Sequence, residues 1–215
     1  MTSSVVPDFT VRETAALAGV PKAAVDKAIE TEVLRAALVA SEDGVARRRL
    51  PSRAVAYFAA LEASGLADLP VRHKRRLWEV MEQGGDEAGG HDLPDVVEFA
   101  PGARLEVGRL AGGPLRAALA YRAARDRHIV RDPEILGGTP VIRGTRITVH
   151  AVRGRLAGGD PIEELMEDYP TVPREVFEAA DLYARTHPLR GRPSGKPWRP
   201  RDGAAAPEDA GRRSA

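Results

Sequence analysis

The chain has no cysteine. Disulfide frameworks and thiolate metal sites are excluded by that fact, and a cytoplasmic location is expected. No apolar run approaches the roughly 18 residues that a membrane span needs, and Met1-Thr2-Ser3-Ser4 lacks the basic-then-apolar order of a secretory leader, so no membrane association is expected. None of the histidines His73, His91, His128, His150 and His187 is paired at the i, i+4 spacing of a zincin helix. They read as surface or packing residues. Glu163, Glu164, Glu167 and Asp168 are crowded on one short segment, where like charges repel, and they read as a solvated face rather than a magnesium site. No catalytic residue, metal or cofactor is expected. A metal-dependent nuclease is the weakest of the functions weighed.

Charge of one sign is also scarce overall, with a formal net charge of +1 over 215 residues. The distribution is less even: +1 over residues 1–83, −4 over 84–187 and +4 over 188–215. Such a chain is not a uniformly basic coat for nucleic acid, and any DNA contact has to come from local clusters.

The first such cluster lies in a segment that reads as a winged helix-turn-helix. Thr10 and Glu13 form a capping box for a helix over 11–18, and Gly19-Val20 supplies a tight turn. Pro21 then opens a second helix, in which Val25, Ala28 and Ile29 carry the buried stripe. Two strands, 34–39 and 45–50, flank Asp43-Gly44 as a wing, and another helix starts at Pro51-Ser52. Lys22 and Lys27 lie on the second helix, the one expected in the major groove. Arg47, Arg48 and Arg49 on the wing, with Arg53 just beyond, are the expected phosphate contacts. This order resembles the N-terminal half of MerR-type regulators, departing from them after the wing, where residues 71–83 form one ordinary helix instead of a long coiled coil.

The densest motif is Gly137-Gly138-Thr139-Pro140-Val141-Ile142-Arg143-Gly144-Thr145-Arg146-Ile147. Its glycines suggest a hairpin, with 140–142 as one strand, Arg143-Gly144 as the turn and 145–149 as the returning strand. A phosphate-binding loop is disfavoured, because no Gly-Lys-Ser/Thr follows and Pro140 lacks an N–H. Helices over 149–156, 161–168 and 173–185 complete a tri-helical unit. Within it Val176, Ala180 and Tyr183 pack at helical spacing, which suits dimerisation or scaffolding better than DNA contact.

These residues match every fixed position of the Gly-Gly-x-Pro-x-Ile-x-Gly-Thr-Arg-Ile run of the domain of unknown function 433 family, and the chain resembles that family from about His128 to Tyr183. The resemblance implies a small helical DNA-binding domain and an antitoxin encoded beside a PIN-type ribonuclease toxin.

The fold expected is mainly α with small β-hairpins. A winged helix-turn-helix domain spans 1–83, a linker 84–92, a hairpin plus tri-helical domain 93–187 (core 128–187) and a flexible basic tail 188–215. The hairpin and helix of 93–125 are expected to pack on the glycine-motif domain. In the tail, Arg190, Arg192, Lys196, Arg199 and Arg201 surround Trp198, a set of cations around one aromatic anchor suited to cover the acidic cleft of a PIN-type toxin. The function expected is a VapB-type antitoxin that neutralises that toxin and represses its own operon as a homodimer on operator DNA. The alternative is a stand-alone transcriptional regulator.

Overall fold

The computed structural model describes residues 8–40, 46–83 and 93–188. They form a mainly helical protein with small antiparallel sheets. Strand β1 (Phe9–Thr10) leads into α1 (Val11–Ala18), and α2 (Lys22–Glu30) follows. The capping box forms as expected: Thr10 N–H donates to Glu13 Oε2 at 2.8 Å, and Glu13 N–H donates to Thr10 Oγ1 at 3.2 Å. Gly19, at φ +71°, ends α1 in the left-handed conformation that glycine adopts without steric penalty. Val20 N–H then reaches back to Ala15 O at 3.0 Å, which sets the turn between the two helices.

Strands β2 (Ala37–Ala40) and β3 (Ala46–Leu50) form the wing. Strand β1, two residues long and too short to show a period in the sequence, pairs with β3 through Phe9 and Leu50. The sheet is therefore three-stranded, in the order β1-β3-β2. Helix α3 (Ser52–Ala63) buries Phe58, Leu61 and every residue from Ser52 to Tyr57, apolar on all sides as a helix must be when it is covered from more than one direction. Helix α4 (Val71–Gln83) covers one side with Leu77, Trp78 and Met81.

The other side of α3 is covered by a piece expected elsewhere. Strands β4 (Val97–Ala100) and β5 (Ala103–Leu105) make the hairpin at Pro101-Gly102, and α5 runs from Val107 to His128 rather than starting near Pro114. Pro114 sits inside α5. The apolar stripe of α5, Val107, Ala111, Leu115, Ala118 and Tyr121, enters one core with Phe9, Val55 and Tyr57. Residues 93–128 thus join the N-terminal core through α3, and α5 also packs on α8 (Arg174–Thr186) of the glycine-motif unit, as expected. Helices α1 and α5, with α4, supply the cover that the all-round apolar α3 requires.

The second core is smaller. After β6 (Ile129–Val130), a short 3₁₀ turn (Leu136–Gly138) and β7 (Val141–Ile142), helices α6 (Val149–Gly158), α7 (Ile162–Asp168) and α8 (Arg174–Thr186) enclose Ile142, Val149, Val152, Leu165 and Phe177. Helix α8 serves both cores, with Ala179 in the first and Val176, Phe177 and Ala180 in the second. Val176 and Ala180 are fully buried within their own unit, so they scaffold it and present no surface for a dimer.

Candidate nucleic-acid interface

The helix-turn-helix holds Lys22 at the first residue of α2, exposed and ion-paired with Asp26 one turn on. Lys27 is also exposed. Between and beside them Ala23 and Ala24 are exposed and short, leaving the backbone of the first turn open to a close-lying partner. Asp26 and Glu30 share the exposed side with the two lysines, so the charge of α2 is balanced.

The wing arginines do not act as one group, because successive side chains of a strand point to opposite faces. Arg48 is exposed and lies across from Leu38, itself 72% exposed, on the neighbouring strand. Arg47 and Arg49 are half-buried on the opposite face and border a cleft between the wing and the C-terminal unit. Arg49 Nη1 donates to Asp8 O at 3.2 Å. Arg53 is a correction. It is 3% exposed, and its Nη1 donates at 2.8 Å to Glu82 O near the C-terminal end of α4. Leading α3 into the core carried the side chain inward, and Arg53 cannot meet phosphate there. Its Nε and Nη2 have no hydrogen-bond partner among the described residues. The tail residues Arg190, Arg192, Lys196, Trp198, Arg199 and Arg201 lie outside the described residues.

Behind the wing is a polar cluster that joins the elements of the first core. Glu13, the capping-box residue, is 1% exposed, and its Oε1 accepts from Tyr121 Oη at 2.8 Å and from Arg125 Nη1 at 2.9 Å. Burial alone would raise the Glu13 pKa. The Arg125 guanidinium, the nearby His187 and the hydrogen bonds from Thr10 and Tyr121 outweigh it and hold the carboxyl below its ordinary value. Burial, reinforced by the Glu13 charge, pushes the Tyr121 hydroxyl upward. Arg125 lies over the rings of Phe9 and Tyr121, at 5.5 and 5.6 Å. Asp8 adds a second pair, its Oδ1 accepting from Arg122 Nη1 at 2.7 Å. Of this cluster the sequence revealed only the Thr10–Glu13 capping box. Tyr121, Arg122 and Arg125 are more than a hundred residues away along the chain, and the only local hint is their spacing on one helix.

The glycine motif bounds the same region from the other side. Leu136, Gly137 and Gly138 form three consecutive left-handed residues at φ +49°, +63° and +79°. β7 pairs with β6, Ile129 opposite Ile142 and Val130 opposite Val141. The expected returning strand 145–149 is reduced to one bridge, Val141 with Thr148, because Thr145 and Thr148 hold other roles. Thr145 closes the turn by donating to Ile142 O at 2.8 Å, and Thr148 caps α6 by accepting from Ala151 N–H at 3.0 Å. The acidic segment of α7 is laced to arginines: Arg155 pairs with Asp160, Glu164 and Asp168, and Arg174 with Glu163. Among the described residues no group of three or more His, Asp or Glu side chains converges as metal ligands. Among them, too, no helix is long and apolar enough to cross a membrane.

Residues 129–184 match the family model described as a protein of unknown function, DUF433. The match begins at β6, the first residue of the second core. An uncharacterised protein, y4eO, of Sinorhizobium fredii is 43% identical over 70 residues, which are 33% of this chain and 32% of that protein. The chain thus spans about a third of the length of this curated relative. Among solved structures, the X-ray crystal structure of Rv2018 from Mycobacterium tuberculosis is similar at a TM-score of 0.37 and 20% identity, over 82% of this chain and 98% of that one.

Proposed function

We propose that the chain is a DNA-binding antitoxin that represses its own operon. The observation that carries the DNA reading is a helix pair with a glycine turn, α1 and α2, followed directly by a β-wing, with Lys22, Lys27 and Arg48 all exposed. In this reading α2 enters the major groove by its N-terminal turn, where Ala23 and Ala24 allow close approach, and Arg48 on the wing meets phosphate. Two copies, each presenting one such unit, would occupy half-sites about one helical turn apart. Arg53 takes no part, and Arg47 and Arg49 belong to the cleft behind the wing.

The toxin reading rests on the family resemblance and on the composition of residues 188–215, where Arg190, Arg192, Lys196, Arg199 and Arg201 flank Trp198. A basic segment of that kind matches a ribonuclease cleft lined with carboxylates. Two measurements test the two halves separately. Fluorescence anisotropy of the full chain with a duplex from upstream of its own gene should show tighter binding than to a scrambled duplex; equal binding would contradict operator repression. Co-expression with the adjacent gene should rescue growth, and deletion of 188–215 should abolish the rescue while operator binding persists. Rescue that survives the deletion would remove the toxin role from this segment.

A further inference from the structure

The cleft between the wing and the C-terminal unit carries more positive charge than its own carboxylates offset. Its lining includes Arg49, Arg125, Arg131 and Arg143 against two carboxylates, Glu13 and Asp126. Both of those are paired with Arg125, at 2.9 and 2.7 Å. Arg49, Arg131 and Arg143 donate to neutral oxygens. Arg49 donates to Asp8 O at 3.2 Å, Arg131 to the Tyr183 hydroxyl at 3.3 Å and Arg143 to Arg127 O at 2.8 Å. The Arg49 Nε is buried and has no hydrogen-bond partner among the described residues.

A second cavity adjoins the first, and Arg47, Arg131 and His187 line both. It adds Arg12 and the left-handed Gly137-Gly138 turn, where a Cβ at Gly137 would meet nothing within 4 Å. The volumes, about 420 and 550 Å³, are in the range of small-molecule sites. Three guanidinium forks gathered in a recess, none on a carboxylate, suit an anion of multiple charge, because arginine binds phosphate in a planar, two-pronged manner. Within the lining Arg131 and Arg143 are exposed, whereas Glu13 and Arg125, 1% and 11% exposed, are held against each other.

We infer that this double cleft is a binding site for a polyphosphate-bearing small molecule, of nucleoside di- or triphosphate size, held by Arg49, Arg131 and Arg143 between the wing and the Gly137-Gly138 turn. The site does not depend on the DNA reading. Its position, walled by the wing on one side and the DUF433 segment on the other, would let an occupant tie the two units together.

The test is isothermal titration calorimetry of the full chain with pyrophosphate, ATP and uncharged adenosine, together with the melting temperature in each. Pyrophosphate and ATP should bind saturably and raise the melting temperature, and adenosine should not. ATP binding more tightly than pyrophosphate would assign the second cavity to the nucleoside, and equal affinity would confine recognition to the phosphates. Arg131→Gln, which loses only contacts to the Tyr183 hydroxyl, should weaken binding by about tenfold or more. Arg143→Gln should do the same, and Arg109→Gln, at the far end of α5, should leave affinity unchanged. Absence of binding by both phosphates, or equal weakening by Arg109→Gln, would overturn the site. So would a duplex that alone binds with the Arg131 dependence, which would make the cleft a nucleic-acid contact.

Discussion

Replacing Glu13 by glutamine probes the contact that holds α1, α5 and the base of the wing together. The substitution keeps the shape and one acceptor oxygen, so the capping box at Thr10 can persist, since glutamine serves there as well as glutamate. It removes the negative charge that faces Arg125 at 2.9 Å and leaves that guanidinium, only 11% exposed, with the more exposed Asp126 at 2.7 Å as its remaining carboxylate. Breaking a buried pair by removing one partner costs about 3–5 kcal/mol. For a chain of this size each kcal/mol shifts the melting temperature by about 2–4 °C, so a fall of about 6–20 °C is expected. Urea unfolding followed by circular dichroism gives the free energy directly. The pairwise part comes from a double-mutant cycle with Arg125→Met, where the double variant should be markedly more stable than the sum of the single losses. A loss under about 1 kcal/mol for Glu13→Gln, or additivity within about 0.5 kcal/mol, would show that the pair does not carry the junction.

Further outcomes follow from the same geometry. Glu13 has a lowered pKa when folded, so its contribution is fully present above the ordinary carboxylate value and is lost as the pH falls through the folded value. Melting temperature against pH should therefore drop on acidification below about pH 4–5 in the wild type, and Glu13→Gln should flatten part of that drop; identical profiles would contradict an ionised Glu13. Arg53→Ala should destabilise by about 2–4 kcal/mol, through the cavity and the lost bond to Glu82 O, without changing the salt dependence of DNA binding. A change in that salt dependence would return Arg53 to the interface. Gly19→Ala forces a side chain into the left-handed region at φ +71° and should cost about 1–2 kcal/mol in urea unfolding. A neutral result would mean that the turn between α1 and α2 relaxes.

The local rules carried the helix-turn-helix. Thr10, Glu13 and Gly19 each specify their own neighbourhood, and the Val25, Ala28 and Ile29 stripe fixes which side of α2 turns inward. The same rules failed where the determining contact is distant in sequence. Nothing near Pro101 states that its hairpin will lie against α4, or that α5 will pack on α3. The clue was the run Ser52 to Leu61, too apolar on all sides for a helix with one open face. The triplet Arg47-Arg48-Arg49 reads as one charge cluster when counted and as two opposed faces when placed on a strand, which separates Arg48 from the cleft. Arg53 was misplaced for a related reason: its charge suggested the surface, whereas its position on α3 directed it to the end of α4. The Gly137 motif was legible as a turn, but its partner strand was not, because β6 lies before the motif and the threonines after it close a turn and cap a helix.

The proposed DNA contact is the helix-turn-helix with the outer face of the wing. The salt dependence of affinity for the upstream duplex, measured by anisotropy for the wild type, Arg48→Ala and Lys22→Ala/Lys27→Ala, tests it most directly. Each phosphate contact removed should flatten the slope of log K against log salt by about 0.9, so Arg48→Ala is expected to lower it by about one unit and the lysine pair by up to about two. Unchanged slopes in both variants, with the protein still folded, would contradict the account.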